Sequence, residues 1–184
     1  MMKQFLFIYF LILFTSLSYG QEVILGMSTR FSDSFVEWAL FSEKEDEEGN
    51  LEITWKMRND FTEWNYDIGE HSGRIQQVWK NDPNQWEIRA NDGTIITIQI
   101  RWRGDIREWR ITDNTVTLNL KTKYGNMLDQ WELKETTYGF YAIHTVYEGD
   151  PRDWEIIDEL DDRVSFPMRM ALAFIAMYHG TPKI

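Results

Sequence analysis

Tryptophan recurs through this chain with a period. Trp38, Trp64, Trp86, Trp109, Trp131 and Trp154 follow one another at intervals of 22 to 26 residues. A second aromatic series precedes it by seven residues, at Phe31, Trp79, Trp102, Tyr124 and Tyr147, and Trp55 joins that series nine residues before Trp64. The unit is plainest in the middle of the chain, where "WKNDPNQWEI", "WRGDIREWRI", "YGNMLDQWEL" and "YEGDPRDWEI" succeed one another. Self-similarity at this period describes one supersecondary unit used six times, so the fold has to be built from that unit.

Each unit reads as a β-hairpin. In "QWEIRANDGTIITIQIRW", Trp86, Ile88 and Ala90 alternate with polar residues, "NDG" supplies a turn that tolerates positive φ, and Ile96, Ile98, Ile100 and Trp102 alternate with Thr97, Gln99 and Arg101. The next unit repeats the scheme around a turn at Asp113–Asn114. Period-two alternation with one apolar face predicts strands covered on one side. Six units give twelve strands, at roughly 23–31, 36–42, 51–58, 63–68, 73–80, 85–90, 94–102, 107–112, 115–123, 130–136, 138–147 and 152–157. An antiparallel meander of that size closes into a barrel to remove its raw edges. Side chains fill a barrel of about eight strands, so a wider one needs an occupant in its lumen.

The occupant is "FPMRMALAFIAMY", 166–178, an expected helix with Pro167 in its first turn, Gly180 at its stop and Arg169 as its one charge. A helix apolar all round is buried or lies in a membrane, and about 13 residues, roughly 20 Å, is too short to span one. The other place open to it is an outer face or a partner. Glu43–Asn50, "EKEDEEGN", reads as a solvated hairpin turn closed by Gly49–Asn50. "DELDD", Asp158 to Asp162, is expected to set negative charge near the helix N-terminus.

At the start of the chain, Lys3 precedes the apolar run Phe5–Phe14 and the small residues Thr15, Ser16, Ser18 and Gly20. This is the pattern of a secretory signal peptide, residues 1–20, leaving a single domain, 21–184, that is exported to the periplasm or secreted; an uncleaved anchor is the alternative. The 184 residues include no cysteine, so neither disulfides nor lipidation at a cleavage-site cysteine are available. The formal net charge of −11, or −12 without Lys3, argues against nucleic acid as a partner.

The hairpins of "WEIRANDGTIITIQIRW" and "WRITDNTVTLNLKTKY", with the finish "WEIIDELDDRVSFPMRMALAFIAMYHG", resemble the tubby-like superfamily, most closely its LURP-one-related and phospholipid-scramblase-like branch. The resemblance runs from about residue 23 to 180. It implies a twelve-stranded barrel around a C-terminal helix, and an association with lipid: phosphoinositide binding in tubby proteins, lipid movement in scramblases. No phosphoinositide-binding residue set maps onto this chain.

Among candidate sites, Arg101, Arg103, Arg107 and Arg110 in "RWRGDIREWR" form the densest basic cluster, suited to a phosphate or carboxylate if they act together, and to a solvated face paired with Asp105, Glu108 and Asp113 if they do not. Asp60, Asp82, Asp105 and Asp150 each stand four residues before a Trp, with Asp33 five before Trp38; they read as caps of their own loops rather than a Ca²⁺ ring. Both aromatic series are expected in the core, because Trp102 keeps register with Ile96, Ile98 and Ile100. His71, His144 and His179 are scattered, and no catalytic residue set, metal site or cofactor motif is read. The expectation is a non-enzymatic binding or scaffold module of the cell envelope, taking lipid or an anionic ligand. The competing reading is a carbohydrate-binding module, which requires several of the paired aromatics to be exposed on one surface. A hydrolase at the barrel mouth would need a deep pocket with converging polar groups.

Overall fold

The computed structural model describes residues 23–44, 47–80, 82–133 and 137–183, so the proposed signal peptide lies outside the described residues. The twelve strands are β1 (Ile24–Phe31), β2 (Ser34–Ser42), β3 (Glu48–Trp55), β4 (Asp60–Ile68), β5 (His71–Gln77), β6 (Gln85–Ala90), β7 (Ile95–Trp102), β8 (Asp105–Thr112), β9 (Thr117–Thr122), β10 (Gln130–Leu133), β11 (Gly139–Tyr147) and β12 (Asp150–Leu160). Each pairs antiparallel with its neighbours in sequence, and β1 pairs with β12, Gly26 opposite Glu155, to close the barrel. The helix α1 (Phe166–Gly180) follows.

Alternation does the sorting. On β6, Trp86 and Ile88 are buried; on β7, Ile96 and Ile98; on β8, Trp109 and Ile111. Their neighbours Glu87, Thr97, Gln99 and Arg110 lie on the outward parity. A barrel that crosses a membrane carries an apolar band outside and polar residues within. Here the lumen is apolar and the wall polar. Among the described residues no helix is long and apolar enough to cross a membrane.

The helix fills the lumen. Phe166 through Tyr178 are all buried. Phe174 meets Trp86 edge-on at 5.0 Å and Trp64 at 5.8 Å, Tyr178 meets Trp86 at 4.7 Å, and Phe166 stacks on His71 at 4.1 Å. At the far end Gly180 is required by close approach: a Cβ there would stand 2.5 Å from the Trp154 ring and 2.8 Å from the Leu128 carbonyl. Thr181 Oγ1 then caps the helix on the Met177 carbonyl at 2.8 Å.

Three expectations are corrected. Gly49 and Asn50 are strand residues of β3, not a turn; Gly49 is buried, and a Cβ on it would meet the Ile68 side chain at 2.4 Å. Residues 56–58 leave the strand as one turn of 3₁₀ helix, Lys56–Arg58. The acidic link acts through arginine rather than the helix dipole, since the first turn of α1 holds no acidic residue. Strand β12 runs on to Leu160, and Asp158 pairs with Arg169 at 1% exposure of both side chains. Arg169 also donates to the carbonyls of Val164, Leu160 and Asp161 at 3.1, 2.9 and 3.0 Å. A charge buried in an apolar helix is tolerable only with such a set of partners. Tyr141, opposite Asp158 on β11, has its phenol pushed well up by burial, with the Asp158 charge adding to the rise.

Candidate functional site: an aromatic rim

The six connections that follow odd-numbered strands gather at one end of the barrel. There each hairpin carries two aromatics of opposite fate. The tryptophans at the start of the even strands, Trp38, Trp64, Trp86, Trp109, Trp131 and Trp154, are at most 2% exposed. Each indole Nε1 donates to the carbonyl three residues before it, on Phe35, Phe61, Pro83, Ile106, Leu128 and Pro151, at 2.7 to 3.0 Å. The buried N–H is thereby satisfied, and the loop entering each even strand is pinned to the core.

The preceding series is outside. Phe31, Trp55, Trp79, Trp102, Tyr124 and Tyr147 are 50 to 64% exposed. This overturns the expectation that both series are core. Four of the six stand at the hairpin neck, one rung past the last buried tryptophan: the ladder slips by two residues on the even strand, so that Phe31 faces Ser34, Trp55 faces Asp60, Trp102 faces Asp105 and Tyr147 faces Asp150. Trp79 and Tyr124 stand beyond the last residues of β5 and β9. Apolar residues that sequence reasoning did not single out join this rim: Met57 is wholly exposed, and Val78, Ile106 and Met127 are exposed beside it.

The rim is cationic at close range. Arg58 lies 5.7 Å from the Trp55 ring centre, Arg101 5.6 Å from Trp102 and Lys123 5.3 Å from Tyr124. Trp102 Nε1 donates to Glu108 at 3.0 Å. A cleft of about 460 Å³ flanks Trp55 and is lined by Glu52, Thr54, Lys56, Met57, Arg58 and Asn65. At the mouth of the lumen Lys183 retains solvent exposure as a residue, but its ammonium is sheltered 4.1 Å from the Tyr178 ring and 5.8 Å from Phe61. That shelter brings its pKa down to about 8. His179, 4.8 Å from Trp109, is brought down to about 3, chiefly by burial and further by the Lys183 charge.

The loop aspartates are caps. Asp60, Asp82, Asp105 and Asp150 each accept the backbone N–H two residues on, at 3.0 to 3.2 Å, and bind the side chain of that same residue. The Arg107 guanidinium grips Asp105 at both oxygens and holds its carboxyl at about 2. Of the four candidate arginines, Arg101 is ion-paired with Glu108 at 3.0 Å on the outer wall, and Arg110 shares that wall on β8. Arg107 is tied into the loop by Asp105 and by Asn126 at 3.1 Å. Arg103 is exposed in the turn between β7 and β8. The cluster is thus divided between wall and rim rather than aimed at one point.

The two ends of the barrel differ in charge. At the aromatic end, with the capped loops and the mouth of the lumen included, Lys56, Arg58, Lys80, Arg103, Arg107, Lys123, Arg152 and Lys183 face Asp33, Asp60, Asp82, Asp105, Asp129, Glu148 and Asp150, eight against seven, a net of +1. At the opposite end Lys44 and Arg163 face Glu43, Glu47, Glu70, Asp92, Asp113, Asp161 and Asp162, two against seven, a net of −5. Compared with family models, with curated proteins and with solved structures, the chain matches none.

Proposed function

We propose that this chain is a non-enzymatic, exported binding module of the cell envelope, built on a tubby-like barrel, whose working surface is the aromatic rim and whose ligand is lipid or an anionic group. The tubby-like placement rests on the strand count, the antiparallel closure and the helix in the lumen, all of which the resemblance implies. The binding role rests on one observation: six large aromatics are repeated at one end of the molecule and left half or more exposed. Six exposed rings at equivalent positions are not the scattered apolar residues that every surface carries. With α1 filling the lumen, the space where a deep catalytic pocket would form is occupied by Phe174, Tyr178 and their neighbours.

Vesicle flotation of residues 21–184, which include every described element, tests the reading at low and at physiological salt. The chain is expected to float with lipid, and a Trp55→Ala, Trp79→Ala, Trp102→Ala triple variant is expected to stay at the bottom with an unchanged melting temperature. A triple variant that floats like the parent removes the rim as the working surface. A second reading, carbohydrate binding, draws on the same exposed aromatics, whose exposure it requires, and on the Trp55 cleft, where an exposed indole is flanked by the carboxylate, amide and cationic groups of Glu52, Asn65, Lys56 and Arg58. Binding to envelope glycans without flotation would select it.

A further inference from the structure

The rim also has a geometry. Its six aromatics stand at or just past the ends of the six odd strands of a closed barrel, so they are distributed around one end of it. A set so distributed is matched by a flat partner, which reaches all its members together. An extended glycan strand would reach only neighbouring members. The residue types fit one flat surface in particular. Trp and Tyr settle at the headgroup level of a bilayer, where one part of the ring is dry and another wet. Met57, Val78, Ile106 and Met127 add apolar tips, and Arg58, Arg101 and Lys123 sit against rings as phosphate partners would. The polar outer wall stops the barrel from sinking further.

We propose that the chain stands upright on an anionic lipid surface, with the whole aromatic rim at headgroup depth and the acidic end turned to water. This rests on the rim being the working surface and adds the partner and the pose. Charge sets the pose. A net of +1 at the rim is accepted by an anionic leaflet, and −5 at the far end is repelled by it. The acidic total is shared between that end and the outer wall, so the end with the least negative charge is the one turned to the lipid.

Depth-dependent quenching by brominated lipids tests the pose. Vesicles of phosphatidylcholine, with and without phosphatidylglycerol, are compared using the parent and the single variants Trp55→Phe, Trp79→Phe and Trp102→Phe. The six buried tryptophans are shielded from the lipid. The expected result is quenching on the phosphatidylglycerol vesicles to which all three rim tryptophans contribute comparable shares. Lys80→Ala and Arg103→Ala are each expected to lower partitioning about fivefold, as a lost cation near such a surface does. Flotation with quenching carried by one indole alone overturns the upright pose but leaves the rim as the working surface. Equal binding to both vesicle types overturns the anionic partner. No flotation with either overturns the lipid proposal outright, and binding to glycans alone replaces it with the second reading.

Discussion

Two aromatic series run through the same six hairpins, and they have opposite energetics. Trp109 and Trp102 are separated by seven residues and belong to adjacent, paired strands, yet one is wholly buried and the other 58% exposed. Composition does not separate them. What does is position along the hairpin: Trp109 lies one rung inside the barrel, anchored on the Ile106 carbonyl, while Trp102 lies at the neck opposite Asp105. A large aromatic is therefore core or contact surface according to which side of the last buried rung it occupies. The same hairpin that closes the barrel also furnishes its rim.

The comparison breaks most violently from the inside. Ala173→Asp or Ala176→Asp places an unpaired carboxylate where the helix is fully buried, and the domain is expected to unfold, read as loss of the near-ultraviolet circular dichroism of its packed tryptophans. A folded, soluble variant would mean the helix leaves the lumen. Next come the paired truncations. Trp109→Ala should cost roughly 3–5 kcal/mol in urea unfolding, while Trp102→Ala stays within about 0.5 kcal/mol. Equal costs would erase the distinction between the series. The smallest effect is set by pH. His179 titrates near 3 in the folded chain and at its ordinary value near 6.5 when unfolded, so between those values the unfolded chain binds the extra proton. Stability from this group is complete above about 6.5 and falls as the solution is acidified, by up to about 1.4 kcal/mol per pH unit. The lowered carboxyls of Asp60, Asp105, Asp150 and Asp161 titrate below their ordinary values and act at lower pH. The urea midpoint between pH 6.5 and about 5, above the range in which the carboxyls of Glu52 and the aspartates begin to protonate in the unfolded chain, therefore isolates the imidazole, and His179→Gln should flatten it.

Most of the fold was legible because two periods do not mimic each other. Alternation on either side of "NDG" and "TDNT" specifies hairpins, and Asn114 and Gly93 do take positive φ, 74° and 87°. The uninterrupted apolar run after Pro167 specifies a buried helix. The rim was not legible by alternation, since Trp102 has the same parity as Ile98 and Ile100 and differs in standing at the hairpin neck, past the last buried rung. A signal was nonetheless present. Trp55, Trp102 and Tyr147 stand directly opposite Asp60, Asp105 and Asp150, loop caps that belong at a solvated hairpin neck. The partner of Arg169 could also have been sought: a lone guanidinium in an apolar helix requires a carboxylate, and 158–162 is the acidic run nearest to it in sequence. The engagement of Arg107 with Asn126 depends on neighbouring loops, which local sequence does not describe.

The helix that fills the barrel is made after every strand of it. Closure brings Gly26 to Glu155, and the lumen stays empty until 166–180 arrives. Contacts so distant along the chain give little return until nearly all of it is present, which makes assembly slow and concerted. A nascent chain of this design gains no stable core while it is being synthesised. It acquires its rigidity only after the segment beyond β12 has cleared the ribosome.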